Sequence, residues 1–201
     1  KDLRAHLDDP SNPIDRNQNP HTTHYLSAPD WDPILNAMKD SRLLDPACRV
    51  KVIFVPTYLD EHDGIFDRHY YELLAGMDVT VFASYYEPWG YTPLESVAFG
   101  VPTVTTSLAG FGLWVDRHDK EHKGVEVIRR TDTNDSEVVE AIAASLRRFA
   151  GMSAEEYAGY RESAAAIART ALWENLIEFY CQAYELALQN AVARTTRVAY
   201  E

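Results

Sequence analysis

An α/β fold with a parallel sheet, helices on both its faces and a helical tail is what this 201-residue sequence predicts. Three observations carry the prediction. Short runs of β-branched and aromatic residues alternate with stretches of helical period. The runs are apolar nearly throughout rather than alternating, the mark of strands covered on both faces. After the last of them, ending at Ile128, only helical patterns follow.

Residues 1–30 read as an irregular leading segment, because Pro10, Pro13 and Pro20 interrupt a polar run without apolar period. The folded domain is expected over 31–201. It opens with Asp32-Pro33, an N-cap followed by proline at the first helical position, and Ile34, Leu35 and Met38 give the apolar face of a helix over 32–40. Val50 to Val55 reads as a first strand ending at Pro56, and 67–75 as a helix closed by Gly76. Val79 to Ala83 is a second strand, followed by a helix over Pro93 to Phe99 that Gly100 stops. Pro102 to Thr106 and Val125 to Ile128 are further strands. Val138, Ile142, Leu146 and Phe149 recur at helical spacing, and Ser153 with Glu156 forms a capping box that opens the C-terminal helices from about 153. Leu172, Leu176, Phe179, Ala183 and Leu186 line a last amphipathic helix. The order of elements is that of a Rossmann-like domain.

Composition narrows the function classes. The formal net charge is −12, from 19 basic and 31 acidic residues, and a surface so acidic repels a nucleic-acid backbone. Any phosphate bound here must be held locally, by backbone N–H groups or a few cations. No run approaches the ~20 apolar residues of a membrane helix. Cys48 and Cys181 lie far apart and form no ligand pattern; they are expected to be plain buried thiols in a reducing, cytoplasmic compartment. The pairs His21/His24 and His118/His122 lack a third ligand and read as surface or loop residues, so neither a metal nor a cofactor is expected.

Ligands of open parallel α/β sheets bind beyond the carboxyl ends of the strands. The segment leaving the 79–83 strand is SYYEPWGYTPLE, residues 84–95, a loop with two prolines, a glycine and four aromatics. Thr92 is placed as N-cap, Pro93 as first helical residue and Glu95 as capping-box acid. A helix N-terminus after a glycine offers unpaired N–H groups and a partial positive charge, which suit a phosphate. Glu87 and Glu95 flank this turn with seven residues between them. Taken singly, Glu95 reads as a capping acid, Glu87 as a solvated loop charge and the aromatics as core, so the residues alone indicate an anion or nucleotide site and no more.

This segment, with VPTVTTSLAGFG at 101–112, resembles the signature of the animal and fungal glycogen synthases, retaining glycosyltransferases with two facing Rossmann-like domains. KVIFVPTYLD at 51–60 and YYELLAGMDVTVFAS at 70–84 are also similar to that family. The resemblance implies that the chain is the C-terminal, nucleotide-sugar-binding half of such an enzyme. UDP-glucose would be the donor and an α-1,4-glucan the acceptor. Glu87 would sit beside the donor glucose, binding its hydroxyls and stabilising positive charge at the anomeric carbon. Glu95 would accept hydrogen bonds from the ribose. The N–H groups around Gly90, Tyr91 and Thr92, with the Thr92 hydroxyl, would cradle the diphosphate. Tyr70 would stack on the base, Trp89 would shape the sugar pocket, and the Gly110-Phe111-Gly112 loop would border the cleft.

The acceptor domain with its histidine, and the Arg and Lys that clamp the donor phosphates, are not found in this sequence. The resemblance therefore implies a fragment inactive by itself, cut away from its N-terminal half. The stretch Glu156 to Trp173 carries only Arg161 and Arg169 where the family has an arginine-rich helix, so no response to glucose 6-phosphate is expected. Two alternatives stand beside this reading. One is another retaining glycosyltransferase, of the ADP-glucose starch type or the sucrose or trehalose type; the other is a non-catalytic nucleotide-sugar-binding module.

Overall fold

The computed structural model describes residues 22–24, 26–59, 61–63, 66–118, 121 and 123–198. The expected irregular segment therefore lies, up to residue 21, outside the described residues, as do His21 and His122. The chain divides into two compact units, one up to Leu73 and one from Leu74 onward.

In the first unit, helix α1 spans Pro33–Asp40 behind a 3-10 turn at Pro29–Trp31. Asp32 caps α1 as its sequence predicts, its carboxylate accepting from the N–H groups of Ile34 and Leu35 at 2.9 Å each. Leu35 and Met38 are buried. The expected strand at Val50 to Val55 does not form. Phe54 makes one isolated bridge, to Thr22, and Val50 and Ile53 stay exposed. β-propensity is realised only where a neighbouring ladder and a buried face receive the strand, and a single bridge supplies neither. Helix α2, Tyr70–Ala75, begins three residues later than the sequence suggests and runs across the boundary.

The second unit contains the sheet. Strands β1 (Thr80–Phe82), β2 (Thr103–Thr106) and β3 (Val125–Ile128) are parallel, in the order β1-β2-β3. Helices α3 (Tyr91–Ala98) and α4 (Gly110–His118) make the two crossovers. Helices α5 (Asp135–Ala150), α6 (Ala154–Thr170) and α7 (Trp173–Val198) follow. Period-2 alternation sends β3 to both faces. Val125 and Val127 join Val97, Phe111, Val115, Ala164 and Ile167, from α3, α4 and α6. On the other face Ile128 and Val104 meet Val138 and Ile142 of α5. Helices on both faces explain why β2 is buried at every position.

One polar seam is buried under α3. The Thr80 hydroxyl lies 2.6 Å from that of Ser96 and 2.8 Å from that of Thr103, and both of these lie 3.2 Å from the Val101 carbonyl, so three hydroxyl protons are shared among four short contacts. With each hydroxyl partnered, the burial is not penalised. The Ser153–Glu156 capping box at the start of α6 is present. The last helix departs from expectation. It forms, yet no described residue of α7 is buried, and Phe179, Leu186 and Leu188 lie exposed. Cys181 on α7 is therefore exposed and Cys48 half-buried, not the two buried thiols expected; both are free.

Candidate donor site

The loop after β1 is built on hydrogen bonds to the connection after β2. The Thr106 hydroxyl donates to the Ser84 carbonyl at 2.7 Å. Glu87 and Ala109 form a parallel bridge. The Glu87 N–H donates to Leu108 O (3.2 Å), and the Glu87 carbonyl accepts from Gly110 N–H (3.0 Å). Two residues on, the Trp89 carbonyl accepts from Phe111 N–H at 2.6 Å. The backbones approach so closely that a Cβ on Gly110 would lie 2.1 Å from the Pro88 carbonyl oxygen, a distance no side chain tolerates. Gly110-Phe111-Gly112 is thus not the loop its sequence suggests. It is the first turn of α4, helical because Gly110 lets the chain turn directly beneath the Glu87 segment.

Gly90 then reverses the chain in the left-handed region (φ 103°, ψ 76°) and is the N-cap of α3. The helix starts at Tyr91, one residue before the expected N-cap. Thr92 is consequently the second helical residue, and Pro93 the third, where a missing N–H is still harmless. Glu95, fifth in the helix, lies too far along to close a capping box. It shares a face with Tyr91, one turn earlier. Gly90 has no side chain to cap the helix, so the N–H groups of Tyr91 and Thr92 head α3 without a side-chain cap. Glu87 is half-buried, its Cγ 3.5 Å from where a Cβ on Gly90 would stand. Glu87, Trp89, Gly90, Tyr91 and Thr92 are thus gathered around the first turn of α3, with Glu95 one turn inward. Tyr70 opens α2 in the other unit, its ring 5.4 Å from that of Tyr71.

Beneath the turn, Trp89 packs edge-on to Phe111 and tilted to Trp114, both at 5.9 Å between centroids. Phe111 and Trp114 stack on each other, and Trp114 stacks on His118 at 4.9 Å. Trp89 is therefore an anchor of the core as well as a wall of a cleft of about 570 Å³ that Tyr91, Leu94, Trp173 and Phe179 also line.

Sequence reasoning missed the polar group at the carboxyl end of the sheet. Arg130 follows β3, its side chain only 7% exposed. Its guanidinium donates to Ala83 O (3.0 Å) and to Asp135 Oδ1 (2.8 Å), and its Cζ lies 3.4 Å from the centroid of the Tyr85 ring. Tyr85 donates its hydroxyl to the same Asp135 oxygen at 2.6 Å. That hydrogen bond, assisted by Arg130, holds the Asp135 carboxyl below its ordinary value, while donating it raises the phenol of Tyr85. The signal in the sequence was the pair Arg129-Arg130 directly after an apolar strand, where a sheet of this kind keeps its ligands. Among the described residues no cluster of three metal-ligating side chains occurs. No described helix is long and apolar enough to cross a membrane.

The comparisons with known proteins fit this geometry. The glycogen synthase family profile matches residues 14–199. The chain is 36% identical over 173 residues to the glycogen [starch] synthase of Caenorhabditis elegans, covering 85% of this chain and 26% of that protein. Identity is 33% to isoform 1 of Saccharomyces cerevisiae and 33% to the liver enzyme of Mus musculus, each over 86% of this chain and 25% of the relative. The chain spans about a quarter of the length of these curated relatives. A parallel sheet whose first crossover carries the Glu87 turn, and a profile that covers almost the whole chain, lead to one conclusion: the chain belongs to the glycogen synthase family.

Proposed function

We propose that this chain is the donor-binding domain of a glycogen synthase, a cytoplasmic glycosyltransferase that moves glucose from UDP-glucose to the non-reducing end of an α-1,4-glucan with retention. The observation that carries the reading is the shared turn: one reversal at Gly90 has Glu87 and the uncapped start of α3 side by side. In the transfer, the bond between the anomeric carbon and the diphosphate breaks, the acceptor hydroxyl oxygen bonds that carbon, and its proton passes to the departing diphosphate. The Tyr91 and Thr92 N–H groups and the Thr92 hydroxyl offset charge on the leaving diphosphate. Glu87 faces the positive charge that develops on the sugar and binds its hydroxyls. Glu95 accepts from the ribose, Tyr70 stacks on the base, and Trp89 walls the sugar pocket. The glucan-binding half and the cations that clamp the phosphates belong to the remainder of the enzyme, so this domain binds donor without turning it over.

The test is a titration of the chain with UDP, ADP and UDP-glucose, followed by NMR, in wild type, Glu87→Gln and Glu95→Gln. The expected result is preference for UDP over ADP, with shifts at residues 87–95 and Tyr70. Glu95→Gln should weaken UDP and UDP-glucose alike; Glu87→Gln should weaken only UDP-glucose. Tighter binding of ADP would instead favour a starch-type donor, and shifts confined to other residues would sink the site.

A further inference from the structure

The segment between β1 and Glu87 is held by the side chain of Arg130, to which the reading above assigns no donor contact. Arg130 reaches across the carboxyl end of the sheet and touches this segment twice, at the Ala83 carbonyl and on the Tyr85 ring. Asp135 closes the circuit, accepting from both Arg130 and the Tyr85 hydroxyl. The Arg130 backbone is itself fixed, its N–H donating to the Ser107 hydroxyl at 3.0 Å. The guanidinium is buried and its Nε has no hydrogen-bond partner. Filling this space for stability alone would be served as well by an apolar side chain, since desolvating a cation opposes its own pairing. What the guanidinium adds is direction. A flat fork fixes a carbonyl, a ring and a carboxylate at once, which an ammonium on a flexible stem cannot do.

We propose that Arg130 is a positioning residue for Glu87: by fixing Ala83 and Tyr85 it sets the orientation of the turn that presents the Glu87 carboxylate to the donor sugar. The proposal rests on the donor-site reading above. The path is short and contiguous. Arg130 holds residues 83 and 85, Thr106 holds Ser84, and the bridge to Ala109 holds Glu87. Of these, the arginine contacts come from the end of β3, and with the Tyr85–Asp135 bond they tie the Glu87 turn to the far strand of the sheet.

The test uses Arg130→Met and Arg130→Lys, with the exposed neighbour variant Arg129→Met as control. The first readout needs no ligand. It is amide hydrogen exchange at Gly110 and Phe111, whose N–H groups bond the Glu87 and Trp89 carbonyls. Exchange there should speed up by about tenfold in both Arg130 variants, with the β2–β3 ladder unchanged and Arg129→Met like wild type. Unchanged rates at Gly110 and Phe111 would overturn the proposal. The second readout separates sugar from nucleotide. Affinity for UDP-glucose should fall by about tenfold while that for UDP stays within about twofold. Equal loss of both would show an effect on the whole domain and would also overturn it. Should Arg130→Met not fold, Tyr85→Ala removes the stacking partner from an exposed position and is read the same way. A wild-type chain that binds neither ligand would refute the donor-site reading, whereas the exchange rates would still judge the brace.

Discussion

On one side of the Glu87 turn the contacts are aromatic and buried; on the other they are polar and partly wet. Phe111 is completely buried, with Trp89 and Trp114 packed against its ring. Arg130 is buried too, yet both its side-chain partners, Tyr85 and Asp135, are more than half exposed. The aromatic side sets how stable the turn is, because the stabilisation grows with the apolar surface removed from water and with the closeness of packing. The polar side sets where the turn points, because hydrogen bonds are directional while exposed ion pairs contribute little net energy. The same few residues of loop thus receive stability and orientation from different chemistry.

Breaking the aromatic side should give the largest effect. Phe111→Ala is expected to destabilise the domain by about 3–5 kcal/mol, the usual range for deleting a fully buried phenyl ring, measured by urea unfolding. Gly110→Ala comes next. Its Cβ would be forced against the Pro88 carbonyl, and the resulting backbone shift should cost about 1–3 kcal/mol and move the amide resonances of residues 87–90. A smaller loss is expected from Thr106→Val, which keeps the shape and removes the bond to the Ser84 carbonyl, at about 1 kcal/mol. A Phe111→Ala chain as stable as wild type would show that the aromatic ladder is not what holds the turn.

The two sides differ equally in how far the sequence revealed them. The strands β1, β2 and β3, the first crossover helix and the Glu87–Glu95 motif were legible because each rests on a local pattern: a short apolar run, a glycine stop, a proline in the first turn. The second crossover, α4, was not, because Gly110-Phe111-Gly112 reads locally as a loop. Nor was the exact start of α3. Thr92-Pro93 is a good helix opening, but Gly90 can adopt a positive φ and starts the helix earlier, a choice made by the loop's pairing with residues 108–111. The run Val50 to Val55 failed for the complementary reason. It is as β-branched as Val125 to Ile128, yet it meets one bridge partner where β3 meets a full ladder. The place of Arg130 after β3 was a signal, but its role was not legible, because its partners, Ala83, Tyr85 and Asp135, are brought together only by the fold. Likewise the apolar residues of α7 announce a helix but not the cleft that Trp173 and Phe179 line together with Trp89.

The finest discrimination between the two sides is pH. Asp135 is held below its ordinary value, first by the Tyr85 hydroxyl and then by Arg130, against an opposing effect of desolvation. A carboxyl whose folded pKa is depressed stabilises the fold fully above its unfolded pKa, and that contribution is lost as pH falls through the folded value. Tyr85 is shifted the other way, raised first by its bond to Asp135 and then by desolvation, with Arg130 opposing. Its contribution is complete below the unfolded phenol value and lost as pH rises through the folded one. The polar side should therefore be at full strength across neutral pH and weaken at both extremes, while the Trp89, Phe111 and Trp114 rings of the aromatic side do not themselves ionise. Denaturation midpoints against pH for wild type, Asp135→Asn and Tyr85→Phe check this. Asp135→Asn should flatten part of the acid limb, leaving the share due to Glu156, whose pKa is lowered by the Ser153 capping box. Tyr85→Phe should flatten the alkaline limb and shrink the acid contribution of Asp135, because its first cause is gone. Both changes should be small and should shrink further with added salt, since Tyr85 and Asp135 reach solvent. Acid limbs of wild type and Asp135→Asn that superimpose would mean that the polar side orients the turn through Arg130 stacked on Tyr85 alone, with Asp135 a bystander.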